Sequence, residues 1–312
     1  MPVLAQDRQR SSPSGSESAV GRQRLDWQTD GGDWPNREAS RFVRAAGLNW
    51  HVQIAGTGPD LLLLHGTGAA THSWGGVLPR LAQQYRVIAP DLPGHGFTDG
   101  VGPSGLSLTG MSTRLKGLIE TLGAAPQLGV GHSAGAAILA RMSLDRLADL
   151  SDIISLNGAF VPLFGAAGLV MPTLARVVAN VPFLADVLAW RGAERTAVER
   201  LLASTGSHIA PQGIALYQRL FSSRQHVAAA LGMMAQWDLP GLWRDLPGLD
   251  CRLHLVATSG DLTIPATQAY DVAARVGPHA DVVMLRGLGH LAHEEAPDLL
   301  ADRVLSLLRG AS

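Results

Sequence analysis

The sequence predicts an α/β protein built on a doubly wound, mostly parallel sheet, with a helical cap inserted between late strands. Apolar strand-like runs alternate with helical segments along most of the chain, as expected for parallel strands joined by helices. Some runs are continuously apolar, such as 60–64, which is typical of strands covered on both faces. The alternation stops between residues 158 and 249, where no apolar strand-like run occurs.

Composition fits one large domain that carries an insertion. The chain has 312 residues, of which 46% are hydrophobic and 16% charged, so apolar surface for a core is ample. The formal net charge of -1, with scattered basic residues, argues against nucleic-acid binding. One cysteine, Cys251, excludes an internal disulfide and favours a reducing compartment, so we expect a cytoplasmic protein. Cys251 is expected to be a small core residue.

Residues 1–38 are predicted to form a disordered tail. The segment is rich in Ser, Gly, Asp, Gln and Arg, and it cannot bury enough apolar surface to fold. It has no apolar stretch of the kind found in signal peptides. Only its end, 34–37, is expected to dock on the domain. The α/β core is then predicted at 39–158 and 250–312, and the cap at 159–249.

The strands and helices of the core can be placed in order. Two alternating segments, 41–43 and 48–54, surround a turn at 46–47. Further strands are predicted at 60–64, 85–89, 127–130, 152–157, 252–257 and 280–285, and helices at 106–122, 134–147 and 297–308.

The inserted segment is expected to be helical and to line a pocket. Its first part, 160–190, is strongly apolar with few charges. Prolines interrupt it about every ten residues, which leaves no clean stretch of about twenty for a membrane span. We therefore expect a cap over an apolar small-molecule substrate. Peripheral contact of the cap with a membrane surface stays open as an alternative.

Residues 131–135 read G-x-S-x-G and are the centre of the predicted chemistry. An apolar strand precedes them and a helix rich in small apolar residues follows. This order indicates a nucleophile elbow, in which Ser133 stands on a strained turn above the sheet. The glycines at 131 and 135 allow strand and helix to approach without side-chain clash.

A serine nucleophile needs a base and a group that orients the base. Asp261 follows a strand in a turn bounded by Gly260 and Pro265. His290 follows the last strand in a glycine-flanked loop. The chain order Ser, Asp, His, each at a strand end, predicts a Ser133–Asp261–His290 triad.

An oxyanion hole needs two backbone N–H groups beside the nucleophile. Ala134, directly after the serine, is predicted to supply one. The loop after the strand at 60–64 supplies the other, with Thr67 as the expected donor and Gly68 as the alternative. His65, which opens this loop, is expected to be a structural hydrogen-bonding residue.

No cofactor and no metal are predicted. The run 290–294 contains two histidines and a glutamate but is not H-E-x-x-H, and His293 and Glu295 are expected to brace the loop. His95 and His132 are candidates to line the pocket mouth. No glycine-rich phosphate or dinucleotide fingerprint occurs between a strand and a helix.

Taken together, these motifs resemble the α/β-hydrolase superfamily over roughly residues 40–309. The resemblance implies the α/β-hydrolase fold and hydrolase chemistry. It is carried by H-G-T-G at 65–68, D-L-P-G-H-G at 91–96, G-H-S-A-G at 131–135, G-D at 260–261 and G-H at 289–290, with Glu295 and Pro297.

A narrower resemblance is to the magnesium-chelatase accessory proteins of bacteriochlorophyll synthesis. It rests on the stretches 34–37, 64–74, 94–98, 131–137 and 233–239, the last of which lies in the cap. This resemblance implies a photosynthetic bacterium and a role near magnesium insertion into protoporphyrin. A tetrapyrrole ligand, magnesium chelatase as partner and a place at the photosynthetic membrane are implied with it.

Three functions are compatible with these residues. The first is a serine hydrolase that acts on an ester or related acyl bond through Ser133. The second is an accessory protein that binds a porphyrin or the chelatase through its cap without catalysis. The third is a cofactor-free, haloperoxidase-like perhydrolase that uses the same Ser-His-Asp set. A dehalogenase or epoxide hydrolase with an Asp nucleophile is disfavoured, because position 133 is serine.

Overall fold

A computed structural model of the protein describes residues 22–161 and 184–310, and within them eight strands form one sheet. The strand order is β1-β2-β4-β3-β5-β6-β7-β8. Strand β2 pairs antiparallel with both β1 and β4, and all other neighbours pair parallel. The predicted doubly wound, mostly parallel sheet is confirmed. In chain order, β1 to β8 are Ser40–Ala45, Leu48–Ala55, Asp60–Leu64, Arg86–Pro90, Leu128–His132, Asp152–Leu156, Arg252–Thr258 and Ala280–Leu285.

Some helices of the described residues begin at a side-chain cap. Ser107, Ser223 and Asp238 each accept a hydrogen bond from a backbone N–H of the first turn that follows. In chain order, α1 to α12 are Trp27–Asp30, Leu78–Leu81, Leu108–Thr121, Ala134–Leu144, Leu184–Gly192, Arg195–Ala203, Pro211–Phe221, Arg224–Gln236, Leu239–Asp245, Thr267–Val276, Ala292–Glu295 and Pro297–Gly310. Short 3-10 turns occur at Arg37–Ala39, Thr71–Trp74, Pro103–Leu106 and Leu246–Gly248.

The apolar strands explain why the core has two layers. Successive side chains of a strand point to opposite faces of the sheet. Leu62 and Leu64 of β3 accordingly join one hydrophobic cluster, with α3 and α4, while Leu61 and Leu63 join the other, with α2 and α12. A strand buried on both faces needs apolar residues at successive positions, as Leu61–Leu64 provide after Asp60.

A third hydrophobic cluster joins the inserted helices to the core. The helices α5 to α9 connect β6 to β7, in the place where the sequence predicts a cap, and they are called the cap below. Tyr217 and Leu220 of α7 are buried against residues of the core loops. The buried members of this cluster are Leu25, Trp34, Ala69, Ala70, Phe97, Val198, Leu202, Leu216, Tyr217, Leu220 and Leu291.

A buried carboxylate fixes two of these core loops. Asp91, at the end of β4, accepts hydrogen bonds from the backbone N–H groups of Thr71 and Phe97 at 2.7 and 3.0 Å, and lies 2.8 Å from Nδ1 of His51. Burial by itself would raise the pKa of Asp91, but His51 and the hydrogen bonds outweigh burial and hold this pKa well below its usual range. The carboxylate therefore stays charged and holds the loops at the carboxyl edge of the sheet.

The prediction of a disordered tail is wrong for residues 22–33, whereas 34–37 pack on the domain as the sequence suggests. Leu25 and Trp34 are each 2% exposed, and Trp34 Nε1 donates to Thr71 Oγ1 at 2.9 Å. Arg219 of α7 pairs with Asp33 at 2.6 Å and so ties this segment to the cap. A few apolar anchors suffice because the folded domain supplies the surface that they bury. Residues 1–21 lie outside the described residues.

Part of the predicted cap also lies outside the described residues. The strongly apolar stretch at 160–190, which suggested an apolar lining or membrane contact, falls largely on residues 162–183. Within the described part of the chain, the structure has no helix that combines the length and the apolar character needed to cross a bilayer.

Replacing Trp34 with alanine tests whether the segment at 22–38 is part of the fold. Loss of this buried ring is expected to lower the free energy of unfolding by about 3–5 kcal/mol. Trp190→Ala is the matched control, because Trp190 is 60% exposed and its loss is expected to change stability by no more than about 0.5 kcal/mol. Urea denaturation measures both. Equal, small effects would show that Trp34 does not anchor the segment.

Candidate active site

Ser133 lies on the strained turn that its motif predicts. Its backbone has φ 48° and ψ −113°, in a region that residues other than glycine rarely adopt. Cβ atoms added at Gly131 and Gly135 would lie 2.4 Å from the Ala136 nitrogen and 2.2 Å from the Leu64 carbonyl oxygen. The two glycines therefore let α4 pack directly on β5 and β3, which places Ser133 at the carboxyl edge of the sheet.

The predicted acid and base are hydrogen-bonded to each other. His290 Nδ1 lies 2.7 Å from Asp261 Oδ2, and both side chains are buried. The other oxygen of Asp261 accepts from the backbone N–H groups of Thr263 and Ile264 at 2.7 and 2.8 Å. These bonds fix the carboxylate in its turn, so that it can hold Nδ1–H of a neutral imidazole and leave Nε2 as an acceptor.

His132, the residue before the serine, contacts His290 of this pair. The rings of His132 and His290 are 4.7 Å apart, and His132 Nε2 lies 3.0 Å from the backbone carbonyl oxygen of His290. In this conformation no hydrogen bond joins Ser133 Oγ to the His290 ring within residues 22–161 and 184–310. The Ser–His bond of such sites is often long without a substrate and shortens when one binds.

The predicted oxyanion donors lie on two segments that meet at Ser133. Ala134 is the first residue of α4, where a helix leaves backbone N–H groups without partners inside the helix. A Cβ added at Gly66 would lie 3.1 Å from the Ser133 Cβ, so the loop that carries Thr67 touches the serine. The Thr67 hydroxyl lies 3.5 Å from the sulfur of Met233 on α8, and Gly68 lies against the Phe221 ring of α7. Two cap side chains therefore border this loop.

Two buried histidines, His65 and His226, support the loops around the serine. His65 Nε2 accepts from the backbone N–H of Leu92 at 2.9 Å, as expected of a structural residue. His226 of α8 accepts from the Gly96 N–H and, through Nε2, donates to the Gly68 carbonyl. Burial lowers the pKa of His226 to about 4 and holds that of His95 well below its usual range. These rings are therefore neutral.

His95 and His132, the candidates for the pocket mouth, lie below the surface. The two side chains are almost fully buried, with exposures of 0% and 2%. Burial also keeps the pKa of His132 well below its usual range, so the ring is neutral. A carbonyl oxygen only accepts, so Nε2 of His132 must carry the proton that it shares with His290.

The loop that carries His290 is supported as the sequence suggests. Glu295 Oε1 accepts from the Gly289 N–H at 2.8 Å, and His293 Nε2 lies 2.8 Å from Ser73 Oγ. Across the described residues, no three His, Cys, Asp or Glu side chains converge in a way that could hold a metal ion. Cys251 is buried in the core, as predicted.

Asn157 is a site residue that the sequence reasoning missed. Leu156 pairs with His132 in the sheet, so Asn157 and Ser133 leave the sheet side by side. The Asn157 amide donates to the carbonyls of Gly289 and His290 at 3.3 and 3.0 Å, and its oxygen accepts from the Thr258 N–H at 3.0 Å. Asn157 directly follows a buried strand, as Ser133 and Asp261 do. The same sequence pattern therefore identifies Asn157 as a candidate site residue.

The second missed feature is the loop between α6 and α7. The Thr205 carbonyl accepts from the N–H groups of both Leu262 and His290, at 3.1 and 3.2 Å. Ser207 Oγ accepts from the Leu291 N–H at 2.8 Å. The cap thus holds the loop of the acid and the loop of the base together. No motif in the sequence marks this loop, because the contact joins residues far apart in the chain.

Asn157→Ala tests the support of the His290 loop. The variant leaves two buried carbonyls and one buried N–H with fewer partners, and each unpaired group costs about 1–3 kcal/mol. We expect the free energy of unfolding to fall by at least about 2 kcal/mol, as measured by urea denaturation. Asn49→Ala, a partly exposed position on β2, serves as the control. An unchanged stability in Asn157→Ala would mean that the loop is held without this amide.

Comparisons with known proteins show the family to which the chain belongs. The model of the alpha/beta hydrolase family matches residues 61–303. The magnesium-chelatase 30 kDa subunit of Rhodobacter capsulatus is 39% identical over 280 residues, which cover 89% of this chain and 97% of that protein. The soluble epoxide hydrolase of Corynebacterium sp. is 26% identical and covers 83% of this chain and 93% of its own length.

Solved structures show the same fold. The thermophilic esterase from Thermogutta terrifontis superposes with a TM-score of 0.70 at 22% identity, covering 86% of this chain and 97% of that one. At this identity the likeness concerns the fold alone. The family match covers most of the chain, and the chelatase-subunit relative aligns over nearly its whole length. The chain therefore belongs to the alpha/beta hydrolase family, and within it is related to the magnesium-chelatase 30 kDa subunit.

Proposed function

We propose that this protein is a serine hydrolase that acts on an ester or related acyl bond. The observation that supports it most is the Asp261–His290 hydrogen bond beside the strained Ser133 turn. Asp261 and His290 are hydrogen-bonded, and Ser133, Asp261 and His290 each follow a parallel strand of the sheet, in the chain order that this chemistry uses.

The reaction follows from the roles of these groups. Ser133 Oγ attacks the carbonyl carbon while His290 Nε2 takes its proton, and Asp261 stabilises the imidazolium through Nδ1–H. The N–H groups of Thr67 and Ala134 hold the oxyanion of the tetrahedral intermediate. His290 then gives the proton to the leaving alcohol as the acyl-enzyme forms. Water attacks the acyl-enzyme, His290 takes one proton from it and returns that proton to Ser133, and the acid is released.

The substrate is expected to be apolar. Phe221 and Met233, from two cap helices, border the loop that carries Thr67. Both side chains bring apolar surface next to the proposed oxyanion donors, and the buried cluster between cap and core continues this surface. An apolar border of this kind favours an acyl chain or a flat macrocycle over a charged substrate.

We further propose that the protein serves magnesium insertion into protoporphyrin during bacteriochlorophyll synthesis, with magnesium chelatase as its partner. The support is the 39% identity to the Rhodobacter capsulatus protein named as a chelatase subunit. The same relative favours a second candidate, a binding protein for a porphyrin or for the chelatase whose triad is not needed. The two candidates share one site and differ in whether Ser133 reacts.

Ser133→Ala tests catalysis directly. Loss of the nucleophile is expected to lower kcat on short p-nitrophenyl esters by roughly four to six orders of magnitude and to abolish labelling by a fluorophosphonate probe. Ser204→Ala, on the exposed surface of the cap, is the matched control and should keep full activity. Undiminished turnover in a folded Ser133→Ala protein would contradict the hydrolase proposal.

The same variant separates catalysis from binding in the cell. In a deletion strain of a bacteriochlorophyll-producing host, wild-type protein and Ser204→Ala are expected to restore pigment synthesis, whereas Ser133→Ala is expected to fail although it is folded and present at normal amounts. Pigment absorbance measures the outcome. Full restoration by Ser133→Ala would favour the binding candidate instead.

A further inference from the structure

The Glu294 carboxyl lies where the cap meets the core. Its side chain is 9% exposed, and it follows His290 by about one helical turn. Tyr217 Oη of α7 donates to its Oε1 at 2.6 Å. Ser73 Oγ, from the 3-10 turn at Thr71–Trp74, donates to the same oxygen. One carboxyl oxygen therefore joins a cap helix to a core loop.

A row of contacts links this carboxyl to the predicted base. His293 Nε2 lies 2.8 Å from Ser73 Oγ, and the His293 ring is 4.3 Å from the ring of His132. His132 in turn donates to the backbone carbonyl of His290. Because Ser73 gives its only proton to Glu294, His293 must donate to Ser73 through Nε2. The hydrogen bonds from His293 and from Tyr217 thus both direct their protons toward Glu294.

The rings that face this carboxyl carry no charge. Burial lowers the pKa of His293 to about 3, and it lowers the pKa of His72, whose ring is 4.6 Å from that of Tyr217, to about 3 as well. Burial and the nearby Glu294 hold the pKa of Tyr217 well above its usual range. His293, His72 and Tyr217 are thus neutral near pH 7.

The charged groups nearby do not offset a negative charge on Glu294. Arg219, on the same helix as Tyr217, pairs with Asp33 and not with this carboxyl. Glu295 adds repulsion. In the described part of the chain, no lysine or arginine forms an ion pair with Glu294. An ionised Glu294 would therefore lie in a mostly apolar interface with hydrogen bonds but no counter-charge, which is unfavourable.

Both charge states of Glu294 are accessible near neutral pH. Burial raises its pKa to about 7, with the hydrogen bonds from Ser73 and Tyr217 acting in the opposite direction. A group whose pKa is raised by docking favours the docked state when protonated. The stabilisation of the docked state by the protonated carboxyl is complete at pH values below 4.5, the ordinary pKa of the group, and is lost as the pH rises through about 7.

We propose that Glu294 is a positioning residue that couples docking of cap helix α7 to the placement of the His290 loop, with the neutral carboxyl favouring the docked cap and the ionised one loosening it. The cap and the base loop are already joined through Thr205 and Ser207, so a loosened α7 also disturbs His290. This coupling lies in the contact between cap and core and does not depend on whether the site hydrolyses esters.

Hydrogen–deuterium exchange on the full chain tests this coupling. Exchange of α7 amides, corrected for the intrinsic pH dependence, is expected to rise on the order of ten-fold between pH 5.5 and pH 8 in the wild type. Glu294→Gln keeps the acceptor but cannot ionise, so this rise should disappear and α7 should stay protected at pH 8. Glu199→Gln, at a partly exposed glutamate on α6, is the matched control and should behave as wild type.

Tyr217→Phe provides a second variant with a distinct expectation. Removal of this donor takes away a bond that favours the carboxylate, so the rise in exchange should move to higher pH. If ester hydrolysis is found, the KM of the wild type should change over the same pH range as the exchange of α7. In Glu294→Gln this change in KM should be absent, while the pH dependence of kcat, which is set by His290, should stay the same. A pH step of equal size in Glu294→Gln, or no step in the wild type, would overturn the proposal.

Discussion

The close approach of helix α4 to strands β3 and β5 is the constraint on which the site depends. The Ser133 backbone holds a positive-φ conformation that costs on the order of 1–3 kcal/mol, and only surrounding packing can maintain it. That packing is possible because Gly131 and Gly135 carry no Cβ atoms. A methyl group at either position would push helix and strand apart. The serine, the N–H of Ala134 and the loop with Thr67 would then no longer meet.

The second half of the site is assembled by the cap as much as by the sheet. Asp261 and His290 leave adjacent strand ends, but their loops are joined by the Thr205 carbonyl and by Ser207 from the cap. From the core side, Asn157 and His132 hold the backbone of His290. The His290 loop is thus held from two sides, by the cap and by the core. In such an arrangement the cap acts both as cover and as support.

The Asp261–His290 hydrogen bond and the strained Ser133 turn bear on the choice between catalysis and binding. A protein that only binds a ligand through its cap has no need for an Asp261–His290 hydrogen bond or for a strained serine, both of which cost folding free energy or restrict the backbone. Their presence favours chemistry at Ser133. The apolar residues of the cap that border the oxyanion loop serve either activity, because burial of a flat or aliphatic ligand needs the same surface.

Much of the fold was determined by the sequence alone. Continuous apolar runs, the alternation of strands with helices, and turn glycines identify the sheet strands and core helices within a few residues, because each depends on neighbours in the chain. The same local logic places Ser133, Asp261 and His290 at strand ends. It also marks Asn157, which ends β6 in the same way.

Only the tertiary structure decided the contacts between distant segments. Residues 22–38 look too polar to fold, yet Leu25 and Trp34 are buried because the cap and core present a surface to them. The role of Thr205 and Ser207 and the burial of Glu294 likewise arise where cap and core meet. Burial and the pKa values that follow from it depend on the neighbours in space, and the order of residues along a chain does not specify those neighbours.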